Sequence, residues 1–178
     1  MLKIHVPAVE MFDSKTETFI KSKECDLQLE HSLVSLSKWE SKWNKPFLSK
    51  EQKTQEETLD YIRCMTITQN VNPTVYNALS ADNIEAINKY IGASMTATTF
   101  SKETKASREI ITSELIYYWM ISLNIPMECQ KWHLNRLLTL IRVCDVKNTP
   151  PKKMSRKDVA GKYASLNAAR RAKMNSKG

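Results

Sequence analysis

CDLQLEHSLVSLSKWESKWNKP, residues 25–46, contains the change of period that decides the fold. Cys25-Asp-Leu-Gln-Leu-Glu30 alternates apolar and polar residues, the spacing of a strand with one buried face. From Ser32 onward the apolar residues recur at helical intervals, with Leu33, Leu36 and Trp43 on one face and Trp39 at its border. Ser32 supplies an N-cap. Asn44-Lys-Pro46 is the stop, because the residue before a proline avoids the helical region. A strand leading straight into a helix predicts an α+β chain, and the flanking sequence decides which part dominates.

Upstream, Leu2, Ile4 and Val6 alternate with Lys3 and His5, and Pro7 ends the run. Phe12-Asp-Ser-Lys-Thr-Glu-Thr-Phe19 has turn chemistry between apolar ends. Residues 1–30 therefore predict a two- or three-stranded β element, too small to stand alone and so laid on the helices that follow. Downstream, two overlapping capping boxes, Ser49-Lys-Glu-Gln52 and Thr54-Gln-Glu-Glu57, open a helix presenting Leu59, Ile62 and Met65, flanked by Tyr61 and Cys64. Asn72-Pro73 restarts a short turn carrying Val75, Tyr76 and Leu79. Ser80 caps a helix with Ile84, Ile87 and Ile91, closed by Gly92 where a left-handed stop belongs. Residues 93–105 show no period and read as a mobile loop. Residues 106–123 are apolar around nearly the whole circumference, which predicts a central helix buried on all sides. Pro126 suits the first turn of a last body helix, running to about Val143 on Leu134, Leu137, Leu138 and Ile141. The fold class is mainly α (α+β). A helical bundle body over residues 1–148 begins with the β element, and a basic C-terminal arm over residues 149–178 is partly disordered or helical on binding.

Charge separates these two parts. Residues 147–178 hold ten Lys/Arg and one acid, a net +9, while the preceding 146 residues hold 17 bases and 18 acids, a net −1. The basic character of the chain is thus that of an appendage, which calls for an acidic partner. Within the arm, Ser155-Arg-Lys-Asp158 is a capping-box variant. Val159, Tyr163 and Leu166 follow at i, i+4 and i+7, with a basic back from Lys157, Lys162, Arg170 and Lys173. Three uses compete: a solvated arm, an amphipathic helix formed on a protein partner, and electrostatic binding to nucleic acid. The candidate partner-binding residues are Lys152, Lys153, Arg156, Lys157, Val159, Tyr163, Leu166, Arg170, Arg171 and Lys173.

Catalytic chemistry finds little support. GxSxG and GxxxxGK[ST] are missing, and three glycines in all leave no phosphate-cradling loop. The carboxylate pairs Glu56/Glu57 and Glu109/Glu114 fit first-turn or exposed helical positions, which the helix dipole favours. Cys129 and His133 fall four apart on a predicted helix, but no second ligand pair accompanies them, so they read as core rather than zinc ligands. The four cysteines (25, 64, 129, 144) form no CxxC and are expected as reduced, buried hydrophobes. Trp39 and Trp43, interleaved with Lys38 and Lys42, suit a core or interface edge better than a stacking surface for single-stranded nucleic acid. MLKIHVPAVEMF lacks the apolar region of a secretory signal, and the longest apolar run, LIYYWMI at 115–121, falls short of the roughly twenty residues of a membrane span. The expectation is a soluble protein that is not an enzyme, with no metal, no cofactor and no membrane partner.

The segments LQLEHSLVSLSKWESKWNKPFL, LDYIRCMTITQNV, SREIITSELIYYWMISLNIP, WHLNRLLTLIRVCDVKNTPPKKMSR and LNAARRAKMNSKG cover most of the chain. They resemble small proteins encoded by long-tailed bacteriophages and prophages, and WHLNRLLTLIR is the most specific block. Within that group the chain is similar to the tail assembly chaperones of the tail-morphogenesis cluster. The resemblance implies a mostly helical protein, to which the N-terminal β element is an addition. It also implies a non-enzymatic role: transient binding of the tape measure protein, the tail tube protein, or both, in the host bacterial cytoplasm, and absence from the mature virion. The arm would act as hook or tether. Self-association remains open, as does the alternative of a nucleic-acid-binding packaging or regulatory protein that uses the same arm.

Overall fold

The computed structural model describes residues 1–13, 17–100, 110–149 and 156–174. Among them helices dominate, beside a small β element. The chain divides into two compact units, Met1–Asp145 and Val146–Gly178.

The β element has four strands rather than two or three. β1 (Leu2–Val6) pairs antiparallel with β4 (Cys25–Leu29), with Leu2 opposite Leu29 and Val6 opposite Cys25. The predicted alternation sends Ile4, Val6, Leu27 and Leu29 into the core, while Lys3, His5, Asp26 and Gln28 face outward. Between them, β2 (Val9–Asp13) pairs with β3 (Thr18–Ser22) as a second two-stranded sheet. Its Phe12 and Phe19 sit opposite each other with ring centroids 5.3 Å apart, and both are exposed. An aromatic pair turned outward breaks the buried-face pattern, so the sequence reads only a turn there. The centre of that turn, residues 14–16, lies outside the described residues.

α1 (Leu33–Trp43) starts at Ser32, whose hydroxyl accepts from Ser35 N while Ser35 Oγ accepts from Ser32 N. It ends at Asn44, held in the left-handed region at φ 52°. Trp39 and Trp43 exchange their expected places. Trp39 is fully buried and Trp43 lies at the border. α2 (Gln55–Met65) opens on the Thr54 and Glu57 box alone. The Ser49 box opens no helix; the carbonyl of Ser49 instead accepts from Lys53 Nζ at 2.8 Å. α3 (Thr74–Asn77) is a single turn. α4 (Ala81–Gly92) is capped by Ser80 and buries Ile87 and Tyr90, leaving Ile84 and Ile91 half-buried. Its stop is Ala93, in extended conformation with its N–H on the Tyr90 carbonyl, so Gly92 is an ordinary last helical residue.

The largest departure is α5. It runs Ser113–Ser122 from an N-cap at Thr112, and residues 101–109 lie outside the described residues. It buries Ser113, Ile116 and Met120, whereas Tyr118 and Ile121 are 63% and 66% exposed. α5 therefore lies at the edge of the body and is not buried on all sides. The central helix is α1, which sends Trp39 into one core and Leu33 and Leu36 into the other. The first core joins β1, β4, α2, α3 and α4; the second joins α5 to the segments after it. The helix predicted from Pro126 is two elements. A 3-10 helix (Met127–Lys131) is followed by α6 (Leu134–Asn148). Between them His133 bridges to Ser32, and Leu134 N donates to the His31 carbonyl at 2.7 Å. Cys129 alone of the four thiols is buried; Cys25, Cys64 and Cys144 are half-buried.

In the second unit, α7 spans Arg156–Met174. No described helix is long and apolar enough to cross a membrane.

Candidate interaction site on the C-terminal basic helix

The residues of α7 account for its conformation. Ala160, Ala164, Ala168, Ala169 and Ala172, with Leu166, Met174 and the long basic side chains, are strong helix formers. Gly161 opposes them by roughly 1 kcal/mol relative to alanine. Arg171 and Lys173 in the last turn meet the negative end of the helix dipole. The helix carries six Lys/Arg and one acid, a net +5.

Beyond Val159 its apolar side chains are exposed. Val159 is half-buried, residues 160–174 are all exposed, and Tyr163, Leu166 and Met174 stand 62%, 44% and 81% open. Helical spacing puts Val159, Tyr163 and Leu166 on one side. The basic residues do not form the expected back. Lys162 is i+3 from Val159, Arg170 is i+4 from Leu166 and i+7 from Tyr163, and Lys173 is i+7 from Leu166. These three therefore lie on or beside the apolar stripe, as does Arg156 at i−3 from Val159. The opposite side carries the small residues Gly161, Ala164, Ser165, Ala168 and Ala172. Arg171 stands away from the stripe, and Lys157 falls in the first turn, where only the backbone is described. Lys152, Lys153 and the capping Ser155 lie outside the described residues. Met174 extends the stripe and was missed, because a methionine among basic residues at the end of a chain reads as tail composition.

The body's chemically active side chains are engaged elsewhere. Cys129 sits in the 3-10 helix and His133 beyond it, so they do not share a helix face. His133 Nε2 donates to the Tyr90 carbonyl at 3.0 Å, since its Nδ1 accepts from Asn135 N at 3.3 Å. His31 and His133 come together instead, buried edge to face with ring centroids 5.2 Å apart, and His31 Nδ1 meets Tyr61 Oη at 2.6 Å. Burial first, and His133 second, lower the His31 pKa to about 4. Burial also lowers that of His133, against the Tyr90 carbonyl and Glu30. Among the described residues no group of three or more His, Cys, Asp or Glu is placed to hold a metal ion.

Trp39 donates its indole N–H to the Glu57 carbonyl at 2.8 Å, and Trp43 donates to Asp60 at 2.9 Å. That pair is fixed in the α1–α2 contact and presents no stacking platform. Glu57 is buried rather than surface-lying: it closes its capping box and pairs with Lys45 at 2.7 Å. Glu109 lies outside the described residues. Glu114 is exposed in the first turn of α5.

No protein-family model, curated protein or solved structure matches this chain.

Proposed function

We propose that this protein is a non-enzymatic tail assembly chaperone of a long-tailed bacteriophage or prophage. It binds the tape measure protein, the tail tube protein, or both, transiently in the host bacterial cytoplasm, and it does not remain in the mature virion. The observation that carries the reading is α7, whose apolar stripe is exposed at Tyr163 and Leu166 and edged by basic side chains. A stripe of that kind is the docking face of a helix laid against a partner. The near-neutral body, at net −1, supports a division of labour in which the arm makes the first encounter. No cofactor or metal enters this role.

The test is co-expression with the tape measure protein of the same tail gene cluster. The wild-type chain keeps the client soluble. Replacing Val159, Tyr163 and Leu166 with Ser abolishes the rescue, whereas replacing Arg170, Arg171 and Lys173 with Gln chiefly slows association. The +9 arm also favours a second reading, a packaging or regulatory protein that binds nucleic acid. That reading reverses the ranking of the two variants, and its binding falls about a thousandfold between low and moderate salt.

A further inference from the structure

We infer that α7 recognises a protein segment that itself presents an apolar stripe edged by carboxylates; this rests on the reading of α7 as the client-binding helix and names the chemistry of its partner. The argument is one of placement. Arg156, Lys162, Arg170 and Lys173 share the side of Val159, Tyr163 and Leu166, and Arg170 continues the stripe itself. A partner that covers the exposed Tyr163 and Leu166 thus brings its own surface against four cations at once. An apolar surface with neutral or basic edges leaves those cations facing like charge or partly desolvated without a counter-charge, which disfavours the complex. A surface with carboxylates on both sides of its apolar stripe pairs them.

Two other polyanions fit less well. A nucleic acid gains from the cations but offers phosphates where the stripe needs apolar cover, and α7 holds a single aromatic residue, Tyr163, for base stacking. A bilayer surface takes amphipathic helices whose cations lie on the face away from the lipid. Here Arg170 sits in the stripe, so seating Leu166 and Tyr163 among the acyl chains drags a guanidinium in with them.

The experiment uses the full-length chain and two synthetic helical peptides of about twenty residues. Both have the same leucine stripe and the same number of glutamates. One has the glutamates beside the stripe and its isomer has them on the opposite face. Fluorescence anisotropy at constant ionic strength is expected to give about tenfold tighter binding of the first, the yield of a few rim pairs together. Leu166→Ser, and Arg156→Gln, Lys162→Gln, Arg170→Gln and Lys173→Gln together, each remove most of that difference, and Arg170→Gln alone removes part of it. Arg171→Gln, away from the stripe, leaves most of it, and Ala168→Ser on the opposite side controls for general loss of helix. Equal binding of the two isomers overturns the inference, because charge alone then drives the contact. So does tighter binding to a DNA duplex, or to vesicles containing phosphatidylserine, than to the first peptide. If the isomers bind equally while client solubility still depends on Val159, Tyr163 and Leu166, the partner chemistry fails and the chaperone reading stands.

Discussion

His31 and Glu40 show what single buried polar residues do in this body. A neutral His31 fits its site, but a charged one meets His133 across 5.2 Å with little water to screen it. The folded chain holds the His31 pKa near 4 against an ordinary 6.5, so between those values the unfolded chain binds more protons. Stability from this residue is therefore complete above pH 6.5 and declines as pH falls toward 4, by about 3 kcal/mol in all. Glu57 and Asp60 add a slope of the same sign only at the acid end of that window, where carboxylates of the unfolded chain take up protons, so the interval from about pH 5 to 6.5 reads the histidines. The hydrogen bond from Lys45 holds Glu57 below its usual range. Burial works against the charged form of Asp60, yet hydrogen bonds from Lys42 and Trp43 outweigh it. Urea unfolding at half-unit intervals should show the slope in the wild type and a clearly shallower one in His31→Gln, which keeps an acceptor for Tyr61. The remainder between about pH 5 and 6.5 comes from His133, whose pKa burial also lowers. A flat wild-type profile down to pH 4.5 contradicts the account. Glu40 is a different case, a buried carboxylate whose oxygens accept from Phe47 N at 2.9 Å and Ser113 N at 2.7 Å. It ties the end of α1 to the start of α5. Glu40→Ala leaves two backbone donors unpaired and should cost about 2–4 kcal/mol in denaturant titration, whereas a cost below about 0.5 kcal/mol would show that water replaces the carboxylate.

Among the elements, α5 makes the sharpest demand. Its inward residues Ile116 and Met120 are fully buried, Trp119 packs half-buried on the second core, and Tyr118 and Ile121 face out. Met120→Ala should destabilise by about 2–5 kcal/mol, and Tyr118→Ser with Ile121→Ser by no more than about 0.5 kcal/mol each. The reverse order in thermal or chemical unfolding would restore the helix buried on all sides. That helix was the natural reading of seven consecutive apolar residues, because composition counts side chains without saying which have neighbours. Elements with local signals were legible: Ser32, Thr54 and Ser80 each cap the helix that follows them. Thr54 succeeds where Ser49 does not because Glu57 both closes the box and reaches Lys45, a partner twelve residues away. Elements fixed by distant partners were not legible. The break between the 3-10 helix and α6 falls where His133 bridges to Ser32, and no residue near Pro126 announces it. The candidate site stood in between. Its residues were visible as charge and spacing, but the side of α7 on which the cations fall becomes clear only when each is placed by helical register against Val159, Tyr163 and Leu166.

At the scale of the whole molecule, apolar burial and positive charge occupy different parts of the chain. Among the described residues, those buried in the two cores lie between Ile4 and Ile141, and the partly buried ones packed on them end at Cys144. The net +9 begins only at Lys147. Burial drives folding and scales with the apolar area removed from water, so the first unit is expected to fold without the second. A helix such as α7, whose residues 160–174 are all exposed, gains little from burial and is marginal by itself. Its helix rests on the propensity of its own residues. Truncation after Asn148 removes α7 together with all but one of the ten arm cations, while leaving both cores intact. The shortened chain should unfold cooperatively, with a melting temperature within a few degrees of the full-length value. It should also lose the client rescue and the salt-dependent part of any binding. Loss of cooperative unfolding in calorimetry would mean that the second unit contributes to the stability of the first, and the arm would then have to be treated as part of the body rather than as its means of capture.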